Sequence, residues 1–191
     1  IALVSIGNGV KQDIQNSISS LGSNLLMVMP GAPRTPGVRP SPGSMKSLKV
    51  ADYEAIAKLD GVKAASPMTN GGYVVIYQNK NWTTSVSGVN ANYLDVNNWT
   101  MKSGRFLSEK NVQNRERVAV VGKTVVKNLF GDEDPVGKEI RVKNIPFRII
   151  GVLNSKGSGA MGNDQDDMVI IPYTTAMERV DGIDYLRMIY V

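Results

Sequence analysis

The clearest alternation of apolar and polar positions lies between Leu129 and Leu153. A short helix ends at Leu129-Phe130, and Gly131 supplies the left-handed residue that closes it. Asp134-Pro135 predicts a turn, because proline fixes its own φ and drives its predecessor out of the helical region. Glu139, Arg141 and Lys143 then alternate with Ile140 and Val142, the period of a half-buried strand. Asn144-Ile145-Pro146 reads as a break. Beyond it, Phe147, Ile149, Gly151 and Leu153 share one face, with Arg148, Ile150 and Val152 on the other. The stretch predicts a β-hairpin whose second strand is buried on both sides near its end.

The rest of the chain extends this pattern. Val10, Ile14, Ile18 and Leu21 form a narrow apolar stripe, so residues 1–23 read as a helix stopped by Gly22 and free to project as a stalk. Leu25 to Met29 predicts a buried strand ended by Pro30-Gly31. Residues 31–47 hold four prolines and three glycines and read as a mobile loop. Val50 to Leu59 predicts a helix that turns Ile56 and Leu59 inward beside Tyr53. A strand is expected from Val62 to Pro67, which makes 25–67 a β-α-β unit.

Tyr73–Tyr77 and Thr83–Val89 predict strands around a hairpin turn at Gln78 to Asn81. Asn90 to Trp99 reads as loop with a short turn at Tyr93-Leu94, and Ser103 to Phe106 as a turn into an extended piece. Val118–Val121 predicts a buried strand, followed by a helix from Gly122 to Phe130. A flexible connection at Gly157 to Gly162 leads to a strand from Met168 to Ile171, ended by Pro172. Thr174 or Thr175 is the expected cap of a helix through Arg179. Asp181-Gly182 then turns the chain into a last strand near Leu186 to Val191.

Composition narrows the chemistry. At 191 residues the chain makes one ordinary domain or two small ones, and 42% apolar residues suffice for a core. No apolar run approaches the roughly 20 residues of a membrane-spanning helix. The start at Ile1, without methionine or a charged leader, suggests a piece of something longer. Cysteine and histidine are both absent, which removes disulfides, thiol nucleophiles, Cys-ligated zinc and the commonest general base. The net charge is +5, and the first 49 residues hold five cations (Lys11, Arg34, Arg39, Lys46, Lys49) against Asp13 alone. A solvated loop explains most of this. The sharper reading is attraction of Arg34 and Arg39 to anionic headgroups or an acidic partner. Nucleic acid fits poorly, since no aromatic residue is interleaved with these charges.

Three motifs fall short of the sites they resemble. Val121-Gly122-Lys123-Thr124 follows a strand and opens a helix, but a phosphate loop needs glycine where Arg117 stands. Gly7-Asn8-Gly9 has Gln12 where a dinucleotide fingerprint needs its third glycine, and no strand precedes it. Asn163 to Asp167 lacks the spacing of a calcium loop and reads as a solvated turn. No metal, cofactor or catalytic residue is therefore predicted. Asn81-Trp82-Thr83 and Asn98-Trp99-Thr100 match the glycosylation pattern, which means nothing in a bacterial exterior.

A longer set of landmarks points to a family. It runs from Leu21 to Leu25 through Pro30-Gly31, Asp52, Asp60-Gly61-Val62, Pro67 and Gly88-Val89. It continues through Ser103-Gly104-Arg105-Phe106, Val118 to Gly122, Leu129-Phe130-Gly131, Asp134-Pro135-Val136-Gly137, and Phe147 with Gly151. Asp166-Asp167, Val169, Ile171-Pro172 and Arg179 complete it. In this order the chain resembles the extracytoplasmic, or periplasmic core, domain of MacB-type ABC transporter permeases.

The resemblance implies an α+β fold: a porter-like β-α-β subdomain (24–88 and 154–191), interrupted by a smaller β-rich insertion (89–153) and preceded by a stalk helix (1–23). It implies a non-catalytic domain that couples ATP hydrolysis in a separate domain or subunit to efflux. Implied partners are a second copy of the permease, the ATPase, an adaptor protein, and the cell membrane through flanking segments, with no nucleic acid. Gly22, Gly157 and Gly162 are the candidate hinges, and Arg34 and Arg39 the candidate partner or lipid contacts. A self-standing ligand-binding module with loop 31–47 as its lid is the other reading, together with a lipoprotein-release or signalling permease. A buried apolar concavity would favour the binding module.

Overall fold

The structure is a computed structural model and describes residues 25–31, 46–159 and 163–191. The expected stalk helix, Gly22, Gly162, Arg34, Arg39 and nearly all of loop 31–47 lie outside the described residues.

A long hairpin is the spine of the fold. Strand β2 (Ser66–Tyr77) and strand β3 (Lys80–Val89) pair antiparallel from Thr69↔Gly88 to Tyr77↔Lys80. The turn between them is Gln78-Asn79, with Gln78 at φ 52°. The second half of β3 pairs parallel to β8 (Met168–Pro172), and β8 pairs antiparallel to β5 (Val118–Val121). Strand β5 runs parallel to β7 (Ile145–Leu153), which pairs antiparallel to β6 (Glu139–Val142). β6 returns to β2 through Val75↔Val142 and Ile76↔Arg141. These six strands therefore close a ring, which covers much of their edges. β4 (Met101–Gly104) pairs with the end of β7 outside the ring.

Inward residues of the ring form one core. Val75, Val86, Ala119, Val121, Ile140, Val142, Phe147, Ile149, Val169 and Ile171 are buried in it together. Helix α4 (Lys123–Leu129) adds Val125 and Leu129, and Phe130 follows. A second core covers the outer faces of β5, β7 and β8. It joins Val118, Val120, Ile150, Leu153 and Ile170 to Tyr93, Trp99 and Leu107. Tyr93 belongs to the short helix α2 (Tyr93–Val96). This explains the unbroken apolar run of β5 and the doubly buried end of β7.

A third core lies under a small sheet. β9 (Met188–Tyr190) sits between β1 (Met27–Val28) and the first residues of β2, antiparallel to both. Helix α1 (Val50–Ile56) crosses from β1 to β2, so the expected β-α-β unit is present with β9 inserted between its strands. Leu48, Met177, Leu186 and Ile189 form this core, with Tyr53 and Ile56 packed against it. The Asp52 carboxylate accepts the Lys49 backbone N–H at 2.7 Å, which caps α1. Lys49 Nζ reaches Asp184 at 2.7 Å, where the chain approaches β9.

Several local expectations need correction. Leu59 does not face inward: α1 ends at Ile56, and Leu59, in the turn beyond it, is 59% exposed. The strand expected at Val62 begins at Ser66 and runs unbroken to Tyr77. Asn144-Ile145-Pro146 is not the break. Lys143 and Asn144, at φ 51° and 64°, make a two-residue turn, and β7 already includes Ile145 and Pro146. Val142 and Ile145 flank that turn as the hydrogen-bonded pair. Arg141↔Pro146 is then a non-hydrogen-bonded pair, where the missing proline N–H costs nothing on the β6 side. The alternation along β7 also slips. The register shifts opposite Ala119/Val120, and Val152 joins the ring core while Ile150 and Leu153 join the outer one. Gly151 allows the slip because a Cβ there would lie 2.4 Å from the Arg105 carbonyl oxygen.

The expected subdomain boundaries at 89 and 153 fall within the ring. β3 precedes the first, β8 follows the second, and both strands are ring members.

Candidate functional site

The helix N-terminus of the Val121-Gly122-Lys123-Thr124 motif is already filled by protein. Thr124 N–H donates to the Asp166 carbonyl at 3.3 Å, and Gly122 N–H to the Met168 carbonyl at 2.9 Å. A Cβ on Gly122 would lie 2.1 Å from the Asp166 carbonyl oxygen. The glycine serves close strand-to-helix packing and leaves no cradle for a phosphate.

The acidic run from Asn163 to Asp167 does not behave as a solvated turn. Asp166 is 4% exposed. Its carboxylate accepts the backbone N–H groups of Lys156 at 2.7 Å and Gly157 at 3.2 Å, and the Ser155 hydroxyl. Asp164 accepts the Thr124 hydroxyl at 2.6 Å, and Asp167 the Trp82 indole N–H at 2.9 Å. Three neighbouring carboxylates thus bind the loop after β7 to α4 and to the hairpin. Gly157, at φ 75°, forms the base of that loop; its N–H meets Asp166 and its carbonyl accepts Gln165 N–H at 3.1 Å. Lys156 lies 4.5 Å over the Trp99 ring and donates to the Asn97 carbonyl at 2.6 Å; burial lowers its pKa. Among the described residues, no three carboxylates gather as a metal site.

A second cluster surrounds the helix after β8, which begins as α5 (Tyr173–Thr175) and widens into a π turn (Ala176–Asp181). Thr174 and Thr175 do not cap it, as their position suggested. Pro172 is the cap residue, and both threonines sit inside the first turn. Their hydroxyls donate across to the Val112 carbonyl at 2.6 Å and the Glu116 carbonyl at 3.0 Å. Those carbonyls belong to helix α3 (Glu109–Gln113) and its exit. Sequence reading missed α3. Its signal was Ser108 followed by Asn111, a reciprocal cap in which Asn111 accepts Ser108 N–H at 2.9 Å.

The π turn is held from several sides. Glu178 pairs with Arg115 at 2.7 Å, both exposed. Lys143, in the β6–β7 turn, donates to the Val180 carbonyl at 2.9 Å. The Tyr73 hydroxyl donates to Asp181. Burial first, then that bond to a carboxylate, pushes the Tyr73 pKa up to about 12. Burial likewise raises Tyr173 to about 12. Asn90, 2% exposed, plays a similar linking role: its amide donates to Tyr53 Oη at 3.0 Å and to the Ala65 carbonyl at 2.9 Å.

Two concavities among the described residues are surface clefts. One, of about 370 Å³, is lined by Ile76, Gln78, Glu139, Arg141 and Asn144. The other, of about 360 Å³, lies beside Arg105, Val136 and Arg148. Neither is the buried apolar chamber that a ligand-binding module would use.

Comparison with known proteins follows this architecture. A family model described as the MacB-like periplasmic core domain matches residues 1–191. The chain is 45% identical over 188 residues to a macrolide export ATP-binding/permease protein MacB of Rhodospirillum rubrum, covering 97% of this chain and 28% of that protein. It is 38% identical to a MacB of Marinobacter nauticus, covering 100% of this chain and 29% of that protein. It therefore spans less than a third of the length of these curated relatives. The crystal structure of the periplasmic region of MacB from Actinobacillus actinomycetemcomitans superposes with a TM-score of 0.77 at 27% identity, over 91% of this chain and 76% of that one. The extracellular domain of the transporter YknZ from Gram-positive bacteria shares the fold, with a TM-score of 0.70 at 19% identity over 88% of this chain and 82% of that one. The chain belongs to the family of MacB-like periplasmic core domains of ABC transporter permeases.

Proposed function

We propose that this domain is the non-catalytic extracytoplasmic part of an ABC transporter permease, which transmits force from the cytoplasm to a substrate outside. A separate nucleotide-binding domain or subunit hydrolyses ATP, and flanking segments anchor the domain on the outer side of the cell membrane. Two permeases work as a homodimer whose outer domains close together and deliver cargo to an adaptor protein. In this reading residues 1–23 are the stalk, 24–88 with 154–191 the porter-like portion, and 89–153 the insertion. β3 and β8 carry the sheet across that boundary.

The observation that carries the reading is the family match over the whole chain, joined to the structural likeness to a MacB periplasmic region. The use of polar groups supports it. Asp166, Asn90, Thr174 and Thr175 all bind one segment to another, as a force-bearing part requires. The relatives' names make a macrolide the first cargo to try.

The test is ATP-driven macrolide export by the full-length permease, reconstituted in vesicles with its ATPase and adaptor. Replacing residues 25–191 by a flexible linker is expected to abolish export while ATP hydrolysis continues. Undiminished export would overturn the proposal.

A further inference from the structure

Among the described residues, the chain passes between the small sheet and the ring at two places. Residues 46–68 and 183–191 supply α1, the start of β2 and β9, while 69–182 supply the rest of the ring. The first crossing is within β2. Pairing with β9 ends at Met68 and pairing with β6 begins at Val75, so on that edge Thr69–Val74 have no ladder partner among the described residues. Two consecutive glycines, Gly71 and Gly72, lie in this gap. Glycine in a strand interior weakens it by removing side-chain packing and adding chain entropy. The second crossing is the π turn Ala176–Asp181, closed by Gly182 at φ 64°.

A π turn bonds i to i+5 and holds one residue more than an α turn; such turns are rare and recur at functional sites. Returning it to α bonding expels that residue. Within the turn, the residues after Ala176 would then rotate by roughly 100° and shift by about 1.5 Å, the rotation and rise of one α residue. The bonds that would break include ones observed: Arg115 to Glu178, Lys143 to the Val180 carbonyl and Tyr73 to Asp181. The threonine anchors precede the π turn and would survive.

The two crossings are tied to each other. Tyr73 follows the glycine pair, and a Cβ on Gly71 would lie 2.7 Å from its ring. Its hydroxyl holds Asp181, the last residue of the π turn. The turn also faces both cores. Ala176 and Val180 pack into the ring, whereas Met177, the next residue after Ala176, packs with Leu48, Leu186 and Ile189 under the small sheet. Met is the side chain best able to repack when such a contact changes.

We propose that Gly71-Gly72 and the π turn Ala176–Asp181 form a two-point joint on which the small sheet moves against the ring, with the Tyr73–Asp181 bond as its latch. In the latched state the turn is π and the sheet is fixed. In the released state the turn is α, the latch is open, and β2 bends at its glycines. This rests on the force-transmitting function proposed above and assigns the bending to these residues.

Hydrogen exchange on the full-length permease in lipid discs, nucleotide-free and trapped during ATP hydrolysis, tests the joint. Amides of 70–74 and 177–183 are expected to change exchange rate at least tenfold between the two states, with β5 and β7 unchanged. Equal exchange of both segments, in protein that exports with ATP when reconstituted in vesicles, overturns the joint and leaves the force-transmitting function standing. Protein that hydrolyses ATP in vesicles with its adaptor, without any ATP-driven export, overturns that function and the joint with it. A Cβ on Gly72 would meet nothing within 4 Å, so Gly72→Ala is accommodated and stiffens the strand. Its expected result is unchanged melting and ATP hydrolysis with export reduced at least threefold; full export by this variant overturns the strand half of the joint.

Discussion

The Thr175 hydroxyl donates to the Glu116 carbonyl at 3.0 Å, across elements almost sixty residues apart in the chain. Among the described residues it is the only donor to that carbonyl. Thr174 makes a parallel bond at 2.6 Å, but its acceptor, the Val112 carbonyl, also takes Arg115 N–H at 3.2 Å. The two threonines should therefore differ. Thr175→Val leaves a carbonyl unpaired and is expected to cost about 2 kcal/mol, while Thr174→Val costs about 1 kcal/mol. For a chain of this length each kcal/mol lowers Tm by roughly 2–4 °C. Serine at either site should restore most of the loss in a thermal melt.

Gly122 is required by space and not by backbone angle. Its φ is −84°, open to any residue, yet a Cβ would strike the Asp166 backbone. Gly122→Ala is expected to destabilise the domain by about 2–3 kcal/mol in urea titration, the range for overpacking. Gly72→Ala is the control: nothing lies near its Cβ, and stability should hold or rise slightly.

Removing the Asp166 carboxylate leaves the Lys156 and Gly157 amides without their acceptor. Hydrogen bonds to a buried charge are worth more than neutral ones, so Asp166→Ala should cost about 3 kcal/mol. Limited tryptic digestion gives a local readout. Cleavage after Lys156 should appear in the variant under conditions that leave the parent chain intact.

Alkaline titration should destabilise the fold through its tyrosines. Tyr73 and Tyr173 both have folded pKa values of about 12, above the ordinary value of 10.0. A raised folded pKa means that the neutral form is favoured in the fold. That stabilisation is complete below pH 10.0 and is lost as pH rises through about 12. Melting temperatures measured across this window should fall, and tyrosinate absorbance should rise later in folded protein than in urea. Tyr73→Phe removes one of the raised groups and also the bond to Asp181. It should shallow the alkaline fall while lowering Tm at neutral pH.

Local pattern was legible where neighbours in sequence are neighbours in the fold. The Gln78-Asn79 hairpin, the β5 strand with α4 behind it, and the β6–β7 pair all follow from alternation and turn residues. The misreadings come from partners distant in the chain. Thr174 and Thr175 look like caps because a hydroxyl beside a helix start usually is one; only the fold brings α3 within reach. Asp166 looks solvated because its donors precede it by ten residues and are backbone amides with no sequence signature. The π turn reads as α, since nothing in Ala176 to Asp181 marks a wider ring. The slip at Gly151 depends on the Arg105 carbonyl, which no periodicity within β7 reveals.

The ring closes through two residue pairs, Val75↔Val142 and Ile76↔Arg141; the β5–β8 junction is equally short, and the other four are longer. β6 reaches its own partner β7 across a two-residue turn, so that hairpin can assemble early and independently. Its meeting with β2 needs the whole intervening chain in place, and such a long loop closure is slow. By its length the seam is, with the β5–β8 junction, one of the two weakest in the ring. Until it shuts, the edges of β2 and β6 are exposed templates for pairing with another chain. Those two pairs are what keeps both edges covered.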